Sequence, residues 1–316
     1  MYLRNDELIN GVLMESGILD YADFRSAVIS GLEELCGDGI TVEEKKILKN
    51  NSVELYAVSI RSDSECISPA IYMESFYKEY AAGKKNIEEI RNSILRAYVN
   101  NKNVKGFDIN KFKDFEEVKN RISYRLINKE RNKDYLKSVP HFEMLDLAII
   151  FSVVLDEIGG SIVIRNEHLR MWRIDENRLR ECAKANSEKF YGPVLQRLDE
   201  CVMNMLMSDS EESEQRVPET GSGVYILSNE ENRYGASCII DETVLRYVAE
   251  SMKSGYYILP ASIHEVIIIK DNMVENCADL KRMVMDVNRA AVDAEDYLSD
   301  SVYHYDYRSK KLNVAR

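Results

Sequence analysis

The stretch "LDLAIIFSVVLD" (Leu145–Asp156) is the longest nearly unbroken apolar run in the chain. A helix that crosses a bilayer needs roughly 20 apolar residues, so this run is far too short for one. An apolar run of this length between polar residues is typical of a buried strand. The Gly159–Gly160 pair that follows predicts a turn, and "SIVI" after the turn predicts an antiparallel partner strand.

Short strands alternate with helices along the rest of the chain. The first predicted helix runs from Tyr21 to about Cys36, and Gly37 and Gly39 predict its end. Another helix is predicted after Asn86, which can cap it together with Glu89. Further strands are predicted at "ITVEEKKILK", "SVELYAVSI", "SPAIYM", "ISYRLINK", "GVYILSN", "GASCII", "GYYIL", "HEVIIIK" and "VYHYDYR". The pattern predicts an α+β fold: mixed, mostly antiparallel sheets with helices packed on them, in two or three segments.

An acidic, serine-rich stretch marks the clearest boundary in the chain. This stretch, "SDSEESEQRVPETGSG" (Ser208–Gly223), has a single apolar residue and predicts a solvated linker. An apolar stripe at helical spacing precedes it and predicts a helix carrying Val194, Leu198, Cys201, Val202 and Met205. The predicted segments are an N-terminal extension (1–20), an N-terminal α/β segment (21–105), a middle α/β segment (106–207), the linker (208–222) and a C-terminal α/β segment (223–316).

Charge and composition exclude several classes of partner. The 316 residues carry 54 acidic against 42 basic side chains, a net charge of −12. Lysine and arginine supply most of the affinity for phosphate backbones, so direct nucleic-acid binding is not expected, and neither is binding to an anionic membrane. The first residues lack the apolar core and cleavage site of a secretory signal. We therefore expect a cytoplasmic protein.

No motif in the chain predicts a metal or a cofactor. The six cysteines are scattered, so there is no CxxC pair, and there are only four histidines. The stretch "HEVII" begins like a zinc-protease helix, but Ile268 occupies the position of the second histidine. Neither GxxxxGK nor GxGxxG occurs. The expectation is that the protein uses no cofactor and no metal ion.

The segment "YYILPASIHEVIIIKD" (Tyr256–Asp271) holds the only candidate catalytic residues. Ser262 and His264 are two positions apart, so on a strand they would share a face and could form a Ser–His hydrogen bond. Glu265 would then point to the opposite face. The alternative, which we favour, is structural: Ser262 ends a turn after Pro260, while His264 and Glu265 flank a strand.

Several phrases occur together in an order that resembles a known family. They are "SPAIYMESFYKEYAAGKKNIEEI", "VKNRISYRLINKERNKDYLKSVPHFEMLDLAIIFSVVL", "HLRMW", "YILSN…YGASCII", "YYILPASIHEVIII" and "LSDSVYHYD". Over roughly Tyr21 to Arg308 the chain resembles a family of uncharacterised bacterial proteins, the domain of unknown function numbered 5688. More loosely, the layout after the linker is similar to another uncharacterised family, found in bacilli. The resemblance implies a fold unit and a cytoplasmic bacterial setting. It implies no reaction and no catalytic residues.

The leading functional hypothesis is a non-enzymatic binding or regulatory module that engages another protein or a small ligand. It follows from the lack of any signature for a metal, a nucleophile, a phosphate or a nucleic acid. One alternative is a hydrolase-like enzyme with its site at Ser262, His264 and Glu265. Another is an accessory protein of a mobile element or defence system. The sequence predicts neither the ligand nor the oligomeric state.

Overall fold

The computed structural model describes residues 17–62, 70–102, 109–155, 160–190, 192–201, 223–260 and 262–315. The chain divides into two compact units, the first made of residues 1–49 and 54–105 and the second of residues 50–53 and 106–316. Helices and antiparallel strands occur in both units, so the fold is α+β as predicted. Within the described ranges, no helix is both long and apolar enough to cross a membrane. The predicted linker, 208–222, lies outside the described residues, and the division into segments stays a prediction.

The first unit packs helices on one face of a small sheet. Its strands pair antiparallel in the order β1-β2-β3. Phe24 and Leu32 of the first helix meet Ile60 of the sheet and Ile90 of the last helix in a fully buried core. The elements are α1 (Tyr21–Cys36), β1 (Ile40–Leu48), β2 (Glu54–Ser62), β3 (Ala70–Tyr72), α2 (Glu74–Ala81) and α3 (Ile87–Lys102).

Two helix ends in this unit match their predicted signals. Helix α1 stops before Gly37, whose φ of 69° lies in the left-handed region that favours glycine. At the start of α3 the Asn86 side chain accepts a hydrogen bond from the Glu89 backbone N–H at 2.9 Å. The Glu89 carboxylate in turn accepts one from the Asn86 backbone N–H at 2.8 Å. This reciprocal capping box confirms the helix start expected from the sequence.

The second unit contains two sheets. Its elements are α4 (Ile109–Phe112), α5 (Phe115–Val118), β4 (Ile122–Asn128), α6 (Lys133–Leu136), β5 (His141–Met144), β6 (Leu147–Leu155), β7 (Gly160–Val163), α7 (Asn166–Trp172), α8 (Glu176–Phe190), β8 (Pro193–Arg197), β9 (Val224–Asn229), α9 (Glu242–Met252), β10 (Tyr256–Leu259), β11 (Val266–Lys270), α10 (Cys277–Ala291), β12 (Tyr303–Asp306) and β13 (Lys311–Val314). Short 3-10 turns occur as well, including one at Gly235–Ile240.

Strand β6, which lies in the long apolar run 145–156, is the centre of the first of these sheets. It pairs antiparallel with β4 along one edge and with β5 and then β7 along the other. Leu147, Phe151 and Val153 are fully buried, because both faces of the strand are covered. The predicted antiparallel pair of β6 and β7 is therefore confirmed.

The second sheet has the strand order β13-β12-β10-β11-β9-β8. Its strand β12 alternates as predicted: Tyr303 and Tyr305 are buried, while His304 and Asp306 are partly exposed. Tertiary pairing overturns two local predictions here. The helix predicted from Val194 is wrong at its start, because residues 193–197 form β8 and pair with β9, whereas residues 198–201 are helical. Val202 and Met205 lie outside the described residues.

The predicted strand "GASCII" is also wrong. Residues Gly235–Ile240 form a 3-10 helix, with Ser237 N–H donating to the Tyr234 carbonyl at 3.1 Å and Asp241 N–H to the Cys238 carbonyl at 3.3 Å. All but the last of these six residues are buried, so their apolar character is that of a core segment rather than of a strand. Periodicity alone does not separate the two cases in a short apolar run.

Helix α7 carries a histidine whose environment predicts a pH effect. The His168 ring packs against Phe112 and Trp172, with ring centroids 4.9 Å and 5.7 Å away. Its Nδ1 accepts a hydrogen bond from the Arg165 backbone N–H at 3.0 Å, as the third residue of a capping box does. Burial lowers the pKa of His168, an effect only partly opposed by the nearby Glu167 carboxylate.

We expect the protein to lose stability as the pH falls below about 6.5, the ordinary pKa of histidine. The folded state holds His168 neutral, so the unfolded state binds more protons in this range and stability rises with pH. Melting temperatures measured between pH 7.5 and pH 5.5 check this. His168→Gln keeps an acceptor for the helix cap and is expected to flatten the profile. An unchanged profile in His168→Gln would contradict the assignment.

Candidate functional site

The three predicted site residues lie in the turn between β10 and β11. Strand β10 ends at Leu259 and β11 begins at Val266, so neither Ser262 nor His264 is in a strand of the sheet. Ser262 instead forms an isolated bridge with Tyr297. Ser262 and His264 therefore do not share a strand face, and the structure agrees with the favoured alternative, a turn after Pro260 that leads into a strand. Pro260, which has no N–H to donate to a ladder, sits where the pairing stops.

Both ring nitrogens of His264 are occupied by structural partners. Nδ1 accepts a hydrogen bond from the Tyr234 backbone N–H at 3.3 Å. Because Nδ1 accepts, Nε2 carries the proton and donates to Asp296 Oδ1 at 3.2 Å. The ring also stacks on Tyr234, with centroids 5.5 Å apart. A general base needs a free nitrogen facing the reacting group, and His264 offers none in this arrangement.

Ser262 and Glu265 do not complete a catalytic group with it. The Ser262 hydroxyl oxygen accepts a hydrogen bond from the His264 backbone N–H at 3.0 Å, a contact typical of a tight turn. No ring nitrogen of His264 is its partner. Glu265 is exposed, and its backbone carbonyl accepts a hydrogen bond from the Ser262 backbone N–H at 3.4 Å. The structure thus joins Ser262 to both His264 and Glu265 through backbone contacts of the turn, not through a pairing of the three side chains.

His264→Ala is therefore expected to lower the free energy of unfolding by about 2 kcal/mol, since two side-chain hydrogen bonds and a ring stack are lost. Chemical denaturation measures this directly. His264→Asn places an oxygen near the Nδ1 position and is expected to recover part of the loss. Glu265→Ala, one residue away and exposed, is the matched control and should be neutral. A stability loss equal to that of Glu265→Ala would contradict the structural role.

A second polar cluster joins the β5–β6 turn to the segment before β12. Asp146 accepts hydrogen bonds from the hydroxyls of Ser299 at 2.5 Å, Ser301 at 3.0 Å and Tyr303 at 2.6 Å. Burial and the adjacent Asp146 carboxylate raise the pKa of Tyr303 far above its ordinary value. Tyr303 therefore stays protonated and serves as a hydrogen-bond donor. The carboxylate accepts from three hydroxyl donors, and such a group fixes the loop that carries them.

A cavity of about 410 Å³ lies at the N-terminus of α9, where that helix and the preceding 3-10 helix face β4, the end of α8 and Pro193. We call it the α9 cavity. Its apolar lining comes from Pro193, Ile240 and Val244, with the ring of Tyr247. Its polar lining comes from Tyr124, Ser187, Ser237, Cys238, Asp241 and Thr243. Ligand pockets in proteins commonly have volumes of roughly 300–1,000 Å³ and this mixture of an apolar wall with a few polar groups.

The polar groups of the α9 cavity differ in what they can do chemically. Asp241 caps α9, accepting from the Thr243 backbone N–H at 2.7 Å. Burial raises the pKa of Tyr124 to about 12, with Arg180 opposing and Asp241 adding to the effect. Burial, followed by Asp241, likewise raises the pKa of the Cys238 thiol to about 12. Tyr124 and Cys238 are thus neutral at physiological pH, and neither is an activated nucleophile.

Sequence reasoning missed this cavity. Its walls come from β4, α8, Pro193, a 3-10 helix and α9, which are far apart along the chain. The one local signal was Asp241 ahead of an apolar helical stripe, which identifies a helix cap. Because Gly235–Ile240 was predicted to be a strand, Cys238 and Ile240 were not expected to lie beside that helix.

Metal-binding and thiol chemistry find little support in the parts of the chain that the structure describes. Within them, no group of three or more His, Cys, Asp or Glu side chains is arranged to hold a metal ion. Burial also raises the pKa of the Cys36, Cys182 and Cys201 thiols, so thiolate formation is disfavoured at each.

Comparison with known proteins identifies a family but no activity. No curated protein and no solved structure gives a significant match to the chain. One family model matches residues 21–307, nearly the whole chain, and its description is a family of unknown function. This agrees with the resemblance found in the sequence, in both the family and the range that it covers. The chain belongs to this family of unknown function, DUF5688.

Proposed function

We propose that the protein is a non-enzymatic binding module that holds a small ligand in the α9 cavity. The observation that carries the proposal is the cavity itself, about 410 Å³ in volume, with an apolar wall and polar groups concentrated near Asp241. An apolar wall supplies affinity through burial of the ligand, and a few polar groups supply orientation. A cytoplasmic setting accords with the five described cysteines, which are free thiols as in reducing compartments.

The alternative of a hydrolase has less support. A serine hydrolase needs a hydroxyl hydrogen-bonded to a base, and the Ser262 hydroxyl contacts the His264 backbone instead. In the α9 cavity, Tyr124 and Cys238 have pKa values raised to about 12. The hydroxyls of the two serines that line it, Ser187 and Ser237, donate to backbone carbonyls at 2.8 and 2.7 Å and not to a base. Binding without chemistry is the simpler use of such a site.

Screening the whole chain by NMR against aromatic fragments that include cations, anions and neutral members tests the proposal. We expect hits that shift the signals of residues around Val244. In Val244→Trp the indole would fill the cavity, and these hits should lose their binding. Met283→Trp, on the exposed face of α10, adds the same side chain away from the cavity and should leave binding unchanged. The proposal fails if no fragment binds, or if Val244→Trp binds the hits as well as Met283→Trp does.

A further inference from the structure

We infer that the ligand of the α9 cavity is an organic cation with an apolar body, such as an alkylated or aromatic ammonium compound. The inference rests on the proposed function, because it names the class of ligand for the same cavity. Three features of the cavity support it. They are the negative charge of Asp241, the rings of Tyr124 and Tyr247, and the Asp241 side chain that caps the N-terminus of α9.

The only charged side chain among the described residues that line the cavity is Asp241. Its Oδ1 accepts from the Thr243 backbone N–H, and no salt bridge to it occurs among the described residues. Asp241 lines the same cavity as Tyr124 and Cys238, whose pKa values are raised by burial with a smaller contribution from Asp241. A positively charged group would therefore be attracted there.

A nearby cation does not cancel this charge at the cavity wall. Arg180 lowers the pKa of Tyr124, so its guanidinium acts on that side of the site. However, that guanidinium lies over the ring of Phe142, 5.1 Å from its centroid, and Arg180 is not among the lining residues. Among the lining residues that the structure describes, the Asp241 carboxylate consequently remains the charged group that a ligand would meet.

Two tyrosine rings complete the environment expected for a cation. Tyr124 is nearly fully buried in the wall, whereas Tyr247 is 61% exposed on the first turns of α9. Faces of aromatic rings attract cations, and the attraction grows as the site is desolvated. Tyr247 thus offers an aromatic surface whose exposure leaves it available to a ligand, and Ile240 and Val244 offer apolar contact for the rest of the molecule.

An anionic ligand does not fit the same site. A helix N-terminus binds anions through its free backbone N–H groups, but at α9 the Asp241 side chain already occupies this position. An anion would therefore meet a carboxylate rather than open N–H donors. The choice lies between a cation and a neutral ligand, and the charge of Asp241 favours the cation.

The test compares three probes of similar size on the full chain: benzyltrimethylammonium, its uncharged carbon isostere neopentylbenzene, and phenylacetate. Titrations followed by NMR give the dissociation constants. We expect benzyltrimethylammonium to bind roughly tenfold or more tightly than neopentylbenzene, a difference in the range of a cation–π contact combined with an ion pair. Asp241→Asn retains a capping side chain, since asparagine caps as well as aspartate, and should abolish this preference.

A matched control separates the cavity charge from charge in general. Asp175 caps α8, accepting from the Arg178 backbone N–H at 2.8 Å, and is exposed outside the cavity. Asp175→Asn should bind all probes as the wild type does, and melting temperatures establish that both variants are folded. Tyr247→Leu should weaken binding of the cation several-fold and leave neopentylbenzene little changed. If Asp241→Asn does not fold, the binding of benzyltrimethylammonium and neopentylbenzene to Tyr247→Leu tests the inference instead.

The outcomes distinguish this inference from the proposed function. Equal binding of benzyltrimethylammonium and neopentylbenzene at the cavity would overturn the cation and leave the binding module intact. Tighter binding of phenylacetate, or an equal effect of Asp241→Asn and Asp175→Asn, would also overturn it. If none of the three probes binds, the cation is rejected, and the Val244→Trp fragment comparison alone judges the binding module.

Discussion

Replacing Gly235 with alanine is expected to destabilise the second unit by about 3 kcal/mol, at the upper end of the cost of overpacking. A Cβ atom at this position would overlap the Ser228 hydroxyl oxygen and would lie 2.6 Å from the His264 carbonyl oxygen and 2.8 Å from the Asn229 backbone nitrogen. Two of these atoms belong to the backbone, so relief requires the 3-10 helix to move away from β9. Urea unfolding of the full chain, followed by circular dichroism, measures the loss.

The control for this prediction is another glycine of the same unit. At Gly192 a Cβ atom would meet only the end of the Glu230 side chain, 3.0 Å away, and that side chain can turn aside. Gly192→Ala is therefore expected to stay within about 0.5 kcal/mol of the wild type. If Gly235→Ala is equally mild, the close approach of the 3-10 helix to β9 is not a requirement of the fold.

Asn132→Asp is expected to cost about 3 kcal/mol at neutral pH, in the range for an uncompensated buried charge. Asn132 is fully buried, and the two hydrogens of its Nδ2 are shared among Asn50 Oδ1 at 2.9 Å, Asn51 Oδ1 at 3.0 Å and the Asn128 carbonyl at 2.8 Å. A carboxylate oxygen in place of this nitrogen would face three acceptor oxygens. Its other oxygen would keep the bond from the Asn51 backbone N–H, now 2.8 Å long.

The pH dependence of stability provides a second test of Asn132→Asp. Crowding by acceptors would raise the pKa of the new carboxyl in the folded state above its unfolded value of about 3.9. The folded variant would then bind more protons, so its deficit relative to the wild type should shrink as the pH falls toward 4. Asn276→Asp makes the same chemical change at the exposed cap of α10 and should be neutral. A deficit that does not change with pH would contradict the assigned hydrogen bonds.

Local chemistry alone was enough to predict several elements. The helix Tyr21–Cys36 was predictable because an apolar stripe stops before Gly37, which ends the helix. The start of α3 was predictable because Asn86 caps it and Glu89 can return the hydrogen bond. Likewise, β6 was predictable because an unbroken apolar run of its length suits a strand covered on both faces. Such features depend on residues within a few positions of one another.

The hydrogen-bond partners of His264 could not be predicted from neighbouring residues. The sequence placed Ser262 and His264 two residues apart, a spacing that suits either a reacting pair or a turn. Only the fold brings Tyr234 and Asp296 to the two ring nitrogens, 30 and 32 positions away in the chain. Those partners turn a candidate base into a structural side chain.

The sequence by itself determined the α+β class, the family and most strands and helices, because backbone propensity, caps and periodicity act over short distances. Tertiary structure alone decided that residues 193–197 form a strand and Gly235–Ile240 a 3-10 helix, since contacts with β9 outweigh local preference. Tertiary structure alone also formed the α9 cavity. Tyr124 and Asp241 lie 117 positions apart, and the packing of β4 against the region before α9 is what brings them to one wall.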